Sequence, residues 1–278
     1  NKTCAINMKK IIKWFLSKSL KFKIIFGIVV LLSVSFFIHI QFMKRKGNIL
    51  DNIQFSASYS DKNDQLLQIF LTEDDKYRIF RPLEQYPPEF IEALLMQEDK
   101  FFYTHAGVNF VALVKAGWET YIKKSRRIGA STITMQVAKL KYNLYTKNIP
   151  GKINQIIKAF YLELCFSKDE ILEAYLNLAP VGGNVEGFET GAWYYFNKNI
   201  RQLNLSEIIM LCVLPQNPIK RAPTTYRTPS ELISARKILF ETWIEKHPED
   251  EDKKIFMDMQ MSVKCSFPNE ARHFTEMI

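Results

Sequence analysis

The chain is 278 residues long, 47% hydrophobic and 24% charged, with a formal net charge of +9 at pH 7. That mixture excludes a disordered or collagenous polypeptide and leaves room for one sizeable domain plus an anchor. The positive balance asks for an anionic partner, whether nucleic acid, an acidic membrane surface or a phosphate-bearing substrate, while Cys4, Cys165, Cys212 and Cys265 lack zinc-site spacing and disulfide density and read as packing residues.

Residues 1–23 form a basic tail, followed over 24–43 by a run free of Asp, Glu, Lys and Arg. A run of about 20 apolar residues spans a bilayer core of ~30 Å. It is longer than a signal-peptide core of ~7–15 residues, and Lys44-Arg45-Lys46 follows where a small-residue cleavage site would stand. The segment is therefore expected to be a retained transmembrane helix. Lys9, Lys10, Lys13, Lys18, Lys21 and Lys23 outweigh the basic residues after it, which keeps the N-terminus cytoplasmic and puts everything after residue 46 outside. A buried core helix is the competing reading, disfavoured by the basic flanks on both sides.

Residues 44–85 are expected to form a linker and a β-hairpin, with Phe55 to Tyr59 and Leu66 to Leu71 as strands around the polar turn Ser60 to Asp64. The main domain is expected over 86–278. After Pro87-Pro88, Ile91, Leu94, Leu95, Glu98 and Phe102 fall on one side of a helix. Between Val111 and Ile128, apolar Val111, Leu113, Val114, Trp118, Tyr121 and Ile122 alternate with Lys115, Lys123 and Lys124, which suits a membrane-interface surface or ordinary core packing. Further helices are expected after Gly129, from Lys152 to Phe166, from the capping box Ser167/Glu170, and from Ser206 to Leu214. Ala179 to Asn184 reads as a glycine-containing turn and Pro215 to Pro229 as a proline-punctuated loop. The class is mainly α.

Two clusters carry chemistry. A carboxylate on an apolar helix face is desolvated and exchanges a proton near neutral pH, which marks Glu98, although an ion pair with a nearby Lys or Arg would account for it equally well. Glu98-Asp-Lys-Phe-Phe-Tyr-Thr-His-Ala-Gly107 adds Asp99, Phe102, His105 and Gly107 at a helix-to-loop junction. The second cluster runs from Gly129 to Lys139. Ser131, Thr132 and Thr134 lie at an expected helix N-terminus, which favours anions, although a plain helix cap is the commoner use of such residues. Gln136 and Lys139 follow about one turn apart, and Arg126 and Arg127 stand just upstream.

These clusters resemble, in order and spacing, the first two signatures of glycosyltransferase family 51, EDxxFxxHxG and GxSTITxQ. Lys152-Ile-Asn-Gln155 resembles its RKxxE signature and Lys168 to Asn177 its KxxILxxYLN signature. Ala179 to Gly187, Leu214 to Pro218 and Arg221 to Pro223 are most similar to the penicillin-binding protein 1C branch. The resemblance covers roughly residues 50–275. It implies a lysozyme-like helical domain at the outer face of the bacterial cytoplasmic membrane, with lipid II and the growing glycan strand as substrates. Transpeptidases and other cell-wall synthesis proteins become the candidate protein partners, and nucleic acid is not expected.

By the same resemblance Glu98 is the general base for inverting glycosyl transfer. Lys139, Lys152 and one of Arg126 or Arg127 would stabilise the leaving pyrophosphate. Ser131, Thr132, Thr134 and Gln136 would hold sugar or phosphate groups, while Tyr175 and Asn177 shape the site. No cofactor is required, though a divalent cation such as Mg or Mn could share the charge stabilisation. Gln155 departs from the family, which usually has glutamate there, and Glu163 fits a recurrent family position or a structural ion pair. Ser234 to Lys237 matches SxxK by chance, and too few residues follow for a transpeptidase domain, so cross-linking is not expected. The competing functions are a catalytically weak lipid II-binding scaffold and a lytic, lysozyme-type enzyme.

Overall fold

The computed structural model describes residues 19–44, 47–109, 131–258 and 261–269. The chain divides into two compact units, 1–47 and 48–278. The first contains helix α1 (Leu20–Lys44, 25 residues). Among the described residues no helix is long and apolar enough to cross a membrane; nine side chains of α1, at 33, 36, 37 and 39–44, fall outside that description.

The second unit opens with the expected hairpin. Strands β1 (Ser58–Ser60) and β2 (Leu66–Ile69) pair antiparallel, with Ser58 opposite Ile69 and Tyr59 opposite Gln68. Their turn is closed by Asp61, whose Oδ1 accepts from the N–H of Asn63 at 2.7 Å and of Gln65 at 2.9 Å. Strand β3 (Tyr77–Arg78) then joins a separate sheet, described below. A short 3-10 turn at Leu83–Gln85 leads into α2 (Pro88–Glu98), which has proline in its first turn and buries Phe90, Ala93 and Leu94.

The apolar stripe drawn through Phe102 is not one helix. Asp99 leaves the helical region (φ −162°, ψ 78°) because its carboxylate is engaged elsewhere, and Phe102 enters the core from the turn that follows.

Helices α3 (Ile133–Lys141), α4 (Ile149–Cys165) and α5 (Lys168–Leu178) come next. The capping box at Ser167 and Glu170 is present and opens α5, whose residues from Ala174 to Leu178 are all buried. Strands β4 (Pro180–Gly182) and β5 (Val185–Glu186) form the glycine turn, and the sheet order is β3-β5-β4, with β3 parallel to β5. Residues near 77 therefore fold together with the helical part of the chain.

Helix α6 (Phe188–Phe196) starts at Gly187, where φ is +84° and an added Cβ would stand 2.9 Å from the Asn177 carbonyl oxygen. Helix α7 (Leu205–Val213) is capped by Asn204 and Glu207 and buries every residue from Ile208 on, as a helix apolar on all sides must. The proline-rich loop after it holds a single turn, α8 (Pro218–Arg221), and α9 (Ser230–Lys246) and α10 (Ile255–Asp258) follow. Helix α7 packs against α2 and α9, and α3 packs against α4 and α5. The described cysteines, Cys165, Cys212 and Cys265, are free thiols, the first two buried.

Candidate active site

Helix α2 ends on Glu98, so this side chain stands where the helix meets a cleft of about 490 Å³. Helix α3 adds Gln136 and Lys139, α4 adds Lys152 and Gln155, and Ser131 comes from the segment leading into α3. Gln216, Asn217 and Arg221, from the stretch after α7, add to the polar lining, as do Gln97 and Thr146.

Glu98 Oε2 accepts a 2.7 Å hydrogen bond from Gln136 Nε2, and Gln136 Oε1 accepts in turn from the Tyr175 hydroxyl at 3.3 Å. Oε1 of Glu98 is buried and has no hydrogen-bond partner among the described residues. Burial pushes the Glu98 carboxyl up to about 7, outweighing the opposing effects of the Gln136 N–H, the Arg221 charge and the Tyr175 hydroxyl, while the Asp99 charge adds to the rise. The residue as a whole keeps partial exposure although its carboxyl is enclosed. Such a group takes and releases a proton near neutrality, and Oε1 is the atom left to do so.

The cleft is cationic beyond Glu98. Lys152 Nζ donates to Ser131 Oγ at 2.7 Å and to Gln155 Oε1 at 2.8 Å. Burial, and then the like charge of Lys139, hold Lys152 below the usual lysine range. Two ammonium groups that oppose each other electrostatically beside one cleft favour an anion between them. Gln155 is buried and donates Nε2 to the Met135 carbonyl at 2.6 Å. A carboxylate there would set oxygen against oxygen, so this environment prefers the amide that the chain carries. Among the described residues no group of three or more His, Cys, Asp or Glu side chains could hold a metal ion. The cleft's charge complementarity to an anion comes from its lysines and Arg221.

Several residues expected to touch substrate instead build the frame. Asp99 is buried, accepts the Ile133 N–H at 3.0 Å and meets His105 Nε2 at 2.9 Å, tying the end of α2 to the start of α3. Phe102 packs edge-on to His105 in the core. Gly107 has φ +81°, and an added Cβ would stand 2.7 Å from Glu163 Cγ. Its carbonyl accepts from Thr132 Oγ1 at 2.6 Å, and Thr132 caps α3 by accepting from the Met135 N–H. Thr134 is buried and donates to Glu163 at 2.5 Å, and Glu163 also pairs with Lys168 at 2.7 Å, an ion pair as one reading of it held. Asn177 accepts from the Arg81 N–H at 2.8 Å and donates to the carbonyls of Arg81 and Glu173. The side chains of Asp99, Phe102, His105, Thr132, Thr134 and Asn177 are thus engaged away from the cleft lining, and the buried Tyr175 hydroxyl meets the Gln136 amide and also bears on the Glu98 carboxyl.

Arg126, Arg127 and the segment Val111 to Ile128 lie outside the described residues. Arg221, Gln216 and Asn217 were not expected as site residues. Their signal was faint: a basic residue in a proline-rich loop whose partners are far off in sequence. Arg221 Nη1 donates to the Val213 carbonyl at 2.6 Å, one of the acceptors left open where α7 ends, and this holds its charge at the cleft.

Several known proteins are similar to this chain. The family model described as Transglycosylase matches residues 63–243. The chain is 38% identical to penicillin-binding protein 1C of Escherichia coli (strain K12) over 172 residues, which is 62% of this chain and 22% of that protein. It is 39% identical to penicillin-binding protein 1A of Neisseria gonorrhoeae over 144 residues, 52% of this chain and 18% of that protein. The chain thus spans about a fifth of the length of these relatives. The crystal structure of penicillin-binding protein 1A from Haemophilus influenzae aligns with 81% of this chain and 24% of that one, at 17% identity and a TM-score of 0.42.

Proposed function

The chain belongs to the transglycosylase family, and from that membership we propose that it is a peptidoglycan glycosyltransferase that polymerises lipid II into glycan strands. Its helical unit is then lysozyme-like, with Glu98 as the catalytic base. Oε1 of Glu98 takes the proton from the acceptor sugar's 4-hydroxyl as that oxygen attacks the donor's anomeric carbon. The bond from that carbon to the lipid pyrophosphate breaks with inversion, and the pyrophosphate leaves as an anion. Lys139, Lys152 and Arg221 stabilise the charge that develops on it, while Ser131 and Gln155 hold Lys152 in place.

Membrane attachment belongs to the same reading. The substrate's lipid stays in the bilayer, and residues 24–43, flanked by lysines, would anchor the chain in the cytoplasmic membrane with its N-terminus inside. Transpeptidases are the protein partners that such a polymerase would serve.

The observation that carries the proposal is the enclosed, unengaged Oε1 of a carboxyl held near neutrality in a lysine-bearing cleft. Incubation with lipid II tests it. Lengthening glycan chains and released polyprenyl pyrophosphate are expected from the unaltered protein and not from Glu98→Gln. Shortening of finished strands would instead indicate a lytic enzyme, and inactivity towards bound lipid II a scaffold.

A further inference from the structure

We propose that Tyr175 is a positioning residue that acts through Gln136: its hydroxyl fixes the Gln136 amide so that the amide N–H, and not the carbonyl, meets Glu98. The proposal rests on the reading of Glu98 as the base of glycosyl transfer and gives that base its resting state.

Tyr175 is fully buried on α5, edge-on to Phe188 at 6.1 Å, so its ring has one place to be. Burial, with the Glu98 charge added, holds its hydroxyl well above the usual tyrosine range, so it remains an O–H donor. Gln136 stands between it and Glu98, taking the hydroxyl on Oε1 at 3.3 Å and giving Nε2 to Glu98 Oε2 at 2.7 Å. A primary amide is a donor on one side and an acceptor on the other, so its two orientations differ in what Glu98 sees. In the observed one an N–H faces the carboxylate, which favours ionised Glu98 and leaves Oε1 for the incoming hydroxyl. In the reversed one a carbonyl oxygen faces Glu98, an arrangement stable only when Glu98 is protonated and donates. The orientation of Gln136 and the proton on Glu98 are therefore linked, and the Tyr175 O–H weights the link toward the base form.

The other charges around Glu98 come from separate elements. Arg221 of α8 favours the ionised form and Asp99 opposes it. The Cys212 thiol of α7 is pushed up by burial and then by the Glu98 charge, and so stays neutral. Lys139 and Lys152 line the same cleft. The Tyr175 hydroxyl is the group seen to donate to the Gln136 amide oxygen, which makes it the one that sets the amide's orientation.

The test compares pH profiles of lipid II polymerisation for the unaltered chain, Tyr175→Phe, Gln136→Ala and the double variant. Tyr175→Phe keeps the buried ring and is expected to move the acid limb of kcat upward by about one pH unit. The rate at pH 7 then falls roughly fivefold, recovers by about pH 9, and KM changes little. In the Gln136→Ala background the tyrosine substitution is expected to add nothing, because its effect has lost its carrier. A uniform loss of rate with an unmoved limb would mean a structural role and overturn the proposal. So would an upward shift of full size in the Gln136→Ala background, which would mean that the hydroxyl acts on Glu98 directly.

A second readout does not need activity. With carbon-13 in the glutamate carboxyls, and the Glu98 signal identified by its loss in Glu98→Gln, the titration midpoint is expected to rise in both Tyr175→Phe and Gln136→Ala. An unmoved midpoint overturns the positioning role even in an active protein. A shifted midpoint in a protein that does not polymerise lipid II overturns the glycosyl-transfer reading and leaves the Tyr175 role standing.

Discussion

Glu98 and Glu189 are both enclosed carboxyls in the same helical unit, yet their surroundings are opposite. Glu189 Oε1 accepts from Arg81 Nη2 at 2.6 Å and from the Trp193 indole at 2.9 Å, and its Oε2 accepts from the Ile200 N–H at 3.0 Å. Those donors come from three places in the chain, and Arg81 also reaches Asp64 and Gln85. Glu98 has one side-chain amide on one oxygen and nothing on the other among the described residues. A buried carboxylate with its acceptors filled stays charged and holds elements together. One kept short of donors has chemistry left to do, at the cost of a destabilised charge.

Exchanging acid for amide at each position sharpens that contrast. Glu98→Gln removes the base and is expected to lower lipid II polymerisation by ~10²–10⁴-fold, with the fold intact by circular dichroism. Glu189→Gln leaves the partly buried Arg81 with only the half-exposed Asp64 as counter-charge and is expected to cost about 3 kcal/mol of stability. Activity per folded molecule should be nearly unchanged, as denaturant unfolding paired with the polymerisation assay would show. If Glu189→Gln lost activity without losing stability, the division between the two carboxyls would fail.

The sequence made the Glu98 end of this contrast legible and hid the other. Glu98 stood out because it followed an apolar helical stripe and opened a run of chemically mixed residues, and Ser167 with Glu170 announced α5 through their own backbone. Glu189 sits on α6, which is buried almost throughout and so has no polar face to give a period of 3.6. Its donors lie up to 108 positions away, beyond any local pattern. The same limit explains the site residues. Lys139 was readable about one turn from Gln136 and Lys152 from the resemblance of its segment to a family signature, whereas Arg221 reaches the cleft only because α8 folds back against the end of α7. In the other direction, Asp99, Thr132 and Thr134 carried the hydroxyls and charge expected of ligands. Spacing could not reveal that the backbone and Glu163 would claim them.

Stability measured against pH is the next smaller test. The ordinary glutamate value is 4.5 and the Glu98 carboxyl sits at about 7. Between those values the folded protein holds a proton that the unfolded chain lacks, so the stability contributed by neutral Glu98 is complete below about pH 4.5 and is lost as pH rises through 7. By pH 8 the ionised form costs at most about 3 kcal/mol. Glu98→Gln cannot ionise, so it should melt higher than the unaltered chain at pH 8 and no higher at pH 4. Equal melting at both values would mean that the carboxyl is not held above its ordinary range.

The smallest effect should come from the cap of α5. Ser167 Oγ accepts from the Glu170 N–H at 3.3 Å, and Glu170 Oε2 accepts from the Ser167 N–H at 2.7 Å. Ser167→Ala removes the first bond and should cost about 1 kcal/mol in thermal or denaturant unfolding. Tyr175 lies on the same helix but is held by its own burial and by Phe188, so fraying of the first turn should not reach its hydroxyl. The polymerisation pH profile should therefore keep its acid limb in place. A moved limb in this variant would show that the frame of α5, and not the tyrosine hydroxyl alone, governs how the Gln136 amide faces Glu98.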